Sequence, residues 1–183
     1  MIVGGCDIET TGLDFNKGHK IIEVCFSLYD FETRRHKGYY VKRIHPQRSI
    51  SAEAQRVHGI DITDLASCPA FKEVAPEIVK LFKACDVVVA HNGINFDFPF
   101  IAYELAMAGY NMPRFEPFDT KEARCLTWNG KHPKLKEMAF ALGFEYDERQ
   151  AHSAKYDTHL LMKCFFEGVD RGIFKIGQQE KAA

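Results

Sequence analysis

Two carboxylates, Asp7 and Glu9, interrupt an apolar stretch at the start of the chain, MIVGGCDIETTGLD. Side chains alternate along a strand, so residues two apart point to one face and Ile8 points to the other. No lysine or arginine lies within seven residues of Asp7 on either side. A desolvated carboxylate is costly without a cation, and hard divalent cations such as Mg²⁺ bind carboxylate oxygens. The pair therefore fits a metal site, although two residues that cap the following turn are the simpler alternative.

Two further acidic residues and a histidine suit the same chemistry. Asp97 stands at the expected start of a helix in VVVAHNGINFDFPFI, and Asp157 follows His152 by five residues in QAHSAKYDTHLLMKCF. Each has an ordinary alternative, because an aspartate at a helix start interacts favourably with the helix dipole and a lone histidine is commonly a surface or capping residue. Each motif alone is therefore weak evidence for a catalytic site.

Hydrophobic periodicity predicts the elements that must position these residues. Residues 1–45 contain three β-rich segments, MIVGGCDIE, KIIEVCFSLYD and HKGYYVKRI, and their short connections are typical of an antiparallel meander. After a long connection with one helical turn, the pattern predicts short strands at DVVVAHN and RFEPFDT. It predicts helices over about residues 71–84, 96–108, 121–126, 135–142 and 154–169. The sum is an α/β fold, a mixed sheet with helices on its faces.

Length and composition fit one globular domain. The chain has 183 residues, of which 46% are hydrophobic and 27% charged, and we assign 1–176 to the domain and 177–183 to a polar tail. A net charge of -1 neither indicates nor excludes a polyanionic partner. Six cysteines without a C-x-x-C pair predict reduced thiols in an intracellular, cytoplasmic protein. No targeting signal or membrane span is visible in the sequence.

Taken together, three segments match one family pattern: DIETTGL, then H-N-x-x-N-F-D, then H-x-A-x-x-D. From about Ile2 to Leu161 the chain resembles the DnaQ-like, or DEDD, 3′-to-5′ exonucleases, with VHGID, FDT and LKEMAFALGF as secondary landmarks. The resemblance implies a ribonuclease H-like fold, an antiparallel meander plus parallel strands flanked by helices. Ser153 stands where one branch of the family has a tyrosine, and Tyr156 is out of register, so the match is to the histidine branch.

The resemblance also implies a role for each residue of the three motifs. The acidic residues become the catalytic ligands of two divalent cations, Mg²⁺ with Mn²⁺ as a substitute: Asp7, Glu9, Asp97 and Asp157. The histidine, His152, becomes the general base, since a histidine can be neutral near pH 7 and accept a proton from the attacking water. The implied product is a 5′-mononucleotide.

Further residues are expected to hold the 3′-terminal nucleotide. The substrate-binding candidates are Thr10, Leu13, His58, Asn92, Phe96 and Lys155. By resemblance, Leu13 wedges against the terminal base and Phe96 or His58 flanks it, whereas Lys155 lies where it can reach a phosphate. Core packing is the alternative for both Leu13 and Phe96.

A basic segment is the second candidate for contacts with a nucleic-acid backbone. Between Thr33 and Ala52 there is no acidic residue. The segment contains six cations, Arg34, Arg35, Lys37, Lys42, Arg43 and Arg48, interleaved with Tyr39 and Tyr40. The pattern suits a phosphate backbone, but it also suits a solvated sheet edge that prevents aggregation, which is the interpretation we favour.

These observations predict a metal-dependent exonuclease that acts on 3′ ends of single-stranded or frayed DNA. An exoribonuclease that trims short RNAs or RNA tails is the first alternative. A non-catalytic nucleic-acid or polymerase-binding module is the alternative of another class, and the presence of all five catalytic candidates argues against it. DNA is favoured as the substrate because the residues of the motifs resemble those of bacterial proofreading exonuclease domains. The lack of a long C-terminal segment favours a stand-alone enzyme, and the sequence indicates neither a protein partner nor an oligomeric state.

Overall fold

The computed structural model describes residues 1–150 and 152–177, and it contains a five-stranded mixed sheet. The strands are β1 (Ile2–Thr10), β2 (Ile21–Asp30), β3 (His36–Arg43), β4 (Val87–Ala90) and β5 (Glu116–Asp119). Their order across the sheet is β3-β2-β1-β4-β5. The β1–β2 and β2–β3 pairs are antiparallel, whereas β1–β4 and β4–β5 are parallel. The predicted meander and mixed α/β sheet are confirmed.

Five α-helices accompany the sheet within the described residues. They are α1 (Ala52–His58), α2 (Phe71–Ala84), α3 (Asp97–Met107), α4 (Leu135–Ala141) and α5 (Ala154–Asp170). One apolar cluster joins α2 and α3 to the face of β1 that carries Ile8. A second cluster joins α4 and α5 to the face that carries Val3. The sheet is thus the middle layer of three, and the two sides of β1 belong to different halves of the core.

The helix predicted over residues 121–126 is wrong. The structure has two short 3₁₀ turns there, Thr120–Glu122 and Arg124–Leu126. Between them Ala123 has φ -71° and ψ 53°, outside the helical region, and its side chain is buried in the cluster beneath α4 and α5. The helical conformation is therefore interrupted at the buried Ala123, and the local hydrophobic pattern does not show this interruption.

A glycine allows α5 to lie directly against β1. A Cβ at Gly5 would stand 2.6 Å from Cγ of Met162 and 3.0 Å from Cγ2 of Thr158, both on α5. A real Cβ essentially never makes a contact of 2.6 Å, so any larger residue would require Met162 or the helix itself to shift. The close approach brings the first turn of α5, with Asp157, to the carboxyl end of β1.

The structure describes only the first residue of the predicted polar tail. The predicted polar tail, 177–183, lies outside the described residues except for Gly177, so the domain limit at residue 176 stays a prediction. In the described part of the chain, no helix combines the length and apolar character needed to cross a membrane.

Candidate active site

The carboxylates of Asp7, Glu9 and Asp157 form one group. One oxygen from each lies within 4.8 Å of the others. Asp7 and Glu9 project from the face of β1 that α5 covers, whereas Ile8 between them is buried against α2 and α3. Strand alternation therefore supplies two members of the group, and the packing of α5 over Gly5 supplies the third.

Asp97 is held beside this group. It is the first residue of α3 and is 3% exposed, and its Oδ1 accepts a hydrogen bond of 3.1 Å from the backbone N–H of Ile8. Ile8 stands between Asp7 and Glu9, so this bond ties the start of α3 to the acidic end of β1. Asp97 does not belong to the group whose oxygens lie within 4.8 Å of one another. Its predicted role as a metal ligand stays a prediction.

Burial and mutual repulsion disfavour the ionised form of these carboxyl groups. Burial raises the pKa of Glu9 to about 9, and the nearby charges of Asp157 and Glu23 add to the effect. Burial also raises the pKa of Asp157 to about 6 and that of Asp97 to about 7. The pKa of Asp7 lies well above its ordinary value, first because of burial and then because the other three carboxylates face it.

No protein cation compensates this charge in the described part of the chain. Across residues 1–150 and 152–177, no lysine or arginine nitrogen lies within 4.0 Å of these four carboxylates. Among the same residues, Oδ1 of Asp157 is buried without a hydrogen-bond partner. A buried anionic oxygen without a donor is costly, and carboxylate oxygens are the ligands that hard divalent cations prefer. The residues present therefore fit the predicted metal site.

His152 lies in the loop that leads into α5, next to the carboxylate group. Its backbone N–H donates a 2.9 Å hydrogen bond to Oδ2 of Asp157. Its φ of 61° is unusual for a residue other than glycine, and such strained backbone occurs preferentially at functional sites. Its side chain is exposed and lines a cavity of about 540 Å³. A general base needs such access to solvent and substrate.

Three of the substrate-binding candidates, Thr10, Leu13 and Phe96, differ in how exposed they are. Leu13 is 84% exposed, which excludes core packing and leaves its side chain available for contact. Phe96 is half-buried, and its ring lies 5.2 Å from that of Phe100 between centroids. Thr10 is buried and donates from Oγ1 to the carbonyl of Gly12 at 2.8 Å, which shapes the turn after β1.

The other three candidates differ in how free their side chains are. Asn92 has φ 76°, and its Oδ1 accepts a 2.9 Å hydrogen bond from Nζ of Lys121. His58 has a buried Nε2 without a partner in the described residues. Lys155 is exposed, with Nζ 5.4 Å from the ring centroid of Tyr39. All six substrate roles stay predictions.

Asp119, which sequence analysis did not single out, fixes the loop that carries the second motif. At the end of β5, its Oδ1 accepts from the backbone N–H of Asn92 at 2.8 Å and its Oδ2 from that of Ile94 at 3.1 Å. This loop leads directly into α3 and Asp97. The landmark FDT was the available signal, an aspartate at the carboxyl end of a strand.

Glu23 is the second acidic residue that sequence analysis did not single out. It is 5% exposed and lies on β2 directly opposite Glu9. Its carboxylate accepts from the backbone N–H of Ala154, at the start of α5, at 3.2 Å and from Nε of Arg43 at 3.0 Å. Glu23 thus links β3 to the third motif, and a lone glutamate within the apolar letters KIIEVCF was the available signal.

The middle of the basic segment forms β3 (His36–Arg43), which is an edge strand of the sheet. Arg34 pairs with Asp170 at 2.7 Å and Arg43 pairs with Glu23. Arg48 donates to a backbone carbonyl at 3.2 Å. Half of the six cations therefore have partners within the protein, which favours the edge interpretation over a continuous nucleic-acid track.

Comparison with known proteins relates this chain to exonucleases. A family model named RNase_T and described as an exonuclease matches residues 5–165. The 3′-5′ exonuclease DinG of Bacillus subtilis (strain 168) is 32% identical over 166 residues, covering 90% of this chain and 17% of that protein. DNA polymerase III subunit epsilon of Haemophilus influenzae is 28% identical over 200 residues, covering 96% of this chain and 75% of that protein.

Among solved structures, E. coli exonuclease I in complex with a dT13 oligonucleotide has a TM-score of 0.80 at 16% identity. The match covers 93% of this chain and 41% of that chain, so the chain spans less than half of exonuclease I. The nuclease domain of 3′hExo bound to rAMP has a TM-score of 0.74 at 16% identity, covering 94% and 93%. These likenesses confirm the ribonuclease H-like fold.

The family match includes all three motifs on which the resemblance rests, because residues 5–165 contain DIETTGL, the asparagine-rich second motif and H-x-A-x-x-D. The structure places these motifs at one end of β1, as a nuclease site of this kind requires. The chain therefore belongs to the DnaQ-like, or DEDD, family of 3′-to-5′ exonucleases.

Proposed function

We propose that this chain is a metal-dependent exonuclease of the histidine branch that removes nucleotides one at a time from the 3′ end of single-stranded or frayed DNA. The observation that carries the proposal is the group formed by Asp7, Glu9 and Asp157, with oxygens within 4.8 Å and no compensating lysine or arginine in residues 1–150 and 152–177. Relatives named DNA polymerase III subunit epsilon support DNA as the substrate class. The exonuclease I complex with dT13 supports the same class.

The residues that would hold two divalent cations, Mg²⁺ with Mn²⁺ as a substitute, are Asp7, Glu9, Asp97 and Asp157. Cations bound there would neutralise the phosphate and stabilise both the attacking and the leaving oxygens of an in-line displacement. Asp7 is the member whose pKa each of the other three raises, so its carboxylate faces all of them. Without cations, four carboxylates would repel a phosphodiester.

His152 would act as the general base, because its exposed ring is anchored beside Asp157 through the backbone. One ring nitrogen accepts a proton from the attacking water while the water oxygen bonds to phosphorus. The bond between phosphorus and the 3′-oxygen breaks, and this oxygen takes a proton from solvent, so the shortened strand ends in a new 3′-hydroxyl. The released nucleotide carries a 5′-phosphate. Leu13, whose side chain is 84% exposed, would wedge against the terminal base.

Titration calorimetry with Mg²⁺ and Mn²⁺ tests whether the acidic group holds metal. Asp157→Asn keeps the shape of the side chain and an acceptor for the N–H of His152, but it removes the charge. We expect it to lose metal affinity and all turnover, whereas Glu53→Gln, an exposed first-turn position of α1, should behave as wild type. Metal binding without hydrolysis of any 3′ end would leave a non-catalytic module, and wild-type protein that binds no metal would contradict the proposal.

The preference for DNA has its own test. Selection against RNA must come from contacts near the ribose 2′-hydroxyl, since the reacting groups are the same in both polymers. We expect a single-stranded DNA oligonucleotide to have a kcat/KM at least about tenfold above that of its RNA counterpart, about 1.4 kcal/mol in transition-state binding. Equal or faster cleavage of RNA in the same buffer would replace DNA with RNA as the substrate and leave the metal chemistry in place.

A further inference from the structure

A cavity of about 540 Å³ lies beside His152, and its titratable lining is basic. The outer strand β3, the end of α1 and the start of α5 form its walls. Its lining includes Arg149, Lys155 and the histidines His58, His152 and His159, and among residues 1–150 and 152–177 no aspartate or glutamate belongs to it. A basic cavity next to an acidic group is the charge pattern expected where a polyanion continues past a metal site.

Lys155 supplies the uncompensated positive charge of this cavity. In the described part of the chain, no carboxylate lies within 4.0 Å of its Nζ. Arg149 is paired with Asp147 at 3.0 Å, so its charge is already offset. The cavity therefore presents one unpaired lysine cation to a ligand.

Tyr39 lies against Lys155 and is itself fixed by His159. Its Nζ lies 5.4 Å from the centroid of the Tyr39 ring, within the range of a cation–π contact. The hydroxyl of Tyr39 in turn lies 2.8 Å from Nδ1 of His159, one helical turn along α5 from Lys155. The hydrogen-bonded ring of Tyr39 thus positions the lysine at the cavity, and the ammonium group remains available to an anion.

We infer that this cavity binds the phosphodiester one nucleotide to the 5′ side of the bond being cut, with Lys155 as its cation and Tyr39 and His159 as its positioning residues. The inference rests on the proposed function. The phosphate that reacts belongs at the carboxylate group. Only the terminal nucleoside lies on its 3′ side, so every further phosphate lies on its 5′ side. The next phosphodiester is the nearest remaining anion of the substrate, and the cavity shares His152 with the reacting group.

The test measures release of the first nucleotide from two single-stranded thymidine decamers. One is unmodified, and the other carries an uncharged methylphosphonate at the linkage next to the terminal one. Lys155→Met should lower kcat/KM about tenfold on the unmodified decamer, as expected for one lost phosphate contact. The methylphosphonate should lower the wild-type value by a similar factor. The two changes together should cost little more than either alone, because both remove the same ion pair.

Salt dependence provides a readout that a merely structural role of Lys155 would not move. For a single strand, the slope of log kcat/KM against log salt should become shallower by about 0.7 in Lys155→Met, one phosphate contact. Lys155→Arg should keep most of the wild-type slope. Lys83→Met, which removes an exposed lysine near the end of α2, is the matched control and should change neither rate nor slope.

Two results would overturn the inference alone. One is a loss of kcat/KM for the two changes together that equals the product of the losses caused by Lys155→Met and by the methylphosphonate separately. The other is an equal loss of kcat/KM on the decamer and on thymidine 5′-(4-nitrophenyl phosphate), a diester without a phosphate further upstream. Failure of the wild-type protein to release any nucleotide with Mg²⁺ or Mn²⁺ would instead overturn the proposed function.

Discussion

Replacing Asp157 by asparagine should stabilise the metal-free protein. Asp157 is 8% exposed, and its Oδ1 has no partner in the described residues. Burial raises its pKa from the ordinary 3.8 to about 6. Once ionised, the folded carboxylate therefore costs about 3 kcal/mol relative to the unfolded chain. Asparagine carries no charge and can still accept from the N–H of His152, so it removes this cost.

The gain should depend on pH in a defined direction. Between about pH 4 and pH 6 the folded protein holds a proton on Asp157 that the unfolded chain has lost, so the stability of the wild type falls as pH rises through this window. The advantage of Asp157→Asn should be about 0.5 kcal/mol at pH 4 and about 3 kcal/mol at pH 8. Saturating Mg²⁺ should shrink or reverse the difference at pH 8, because the cation binds the folded wild type.

Urea unfolding followed by circular dichroism measures this difference, with EDTA or Mg²⁺ present at both pH values. Glu53→Gln, which removes an exposed carboxylate from the first turn of α1, should change the free energy of unfolding by less than about 0.5 kcal/mol. If Asp157→Asn were less stable than wild type at pH 8 in EDTA, the Asp157 carboxylate would be compensated within the folded protein. That result would refute the reasoning.

Three further predictions concern single side chains. Gly5→Ala should lower the free energy of unfolding by about 1 to 3 kcal/mol, because its Cβ would lie 2.6 Å from Cγ of Met162, and an unchanged urea midpoint would show that α5 can shift. His152→Ala should lower the rate by about 10² to 10⁴ with little loss of metal affinity. An unchanged rate would assign the base to another group. Leu13→Ala should keep stability within about 0.5 kcal/mol, since Leu13 is 84% exposed, and should raise KM for single-stranded DNA, so an unaltered KM would exclude its contact with the terminal base.

The acidic end of β1 could be predicted from the sequence because strand alternation is a local property. The letters DIE place Asp7 and Glu9 on one face and Ile8 on the other, and the structure shows this arrangement. The three motifs also placed Asp157 near the pair, since their order matches a known family pattern. The mixed sheet followed from the meander and the alternating elements, each of which depends on short-range periodicity.

Contacts between distant segments could not be predicted in the same way. No local pattern shows that the carboxylate of Glu23 accepts a hydrogen bond from the N–H of Ala154 or that Arg43 forms an ion pair with Glu23. The break at Ala123 depends on burial against α4 and α5, so periodicity alone predicted a continuous helix there. The exposure of Leu13 likewise depends on how the loop after β1 sits on the fold.

We propose that the acidic end of β1 degrades DNA from the 3′ end with divalent metal. A time course on single-stranded DNA labelled at its 5′ end, with a free or a blocked 3′ terminus and with Mg²⁺ or EDTA, tests this proposal most directly. We expect a ladder of labelled strands that shorten stepwise from the free 3′ end in Mg²⁺ only, together with 5′-mononucleotides, and no ladder for Asp7→Ala. Internal cuts, shortening of the blocked strand, or full activity in EDTA would contradict it.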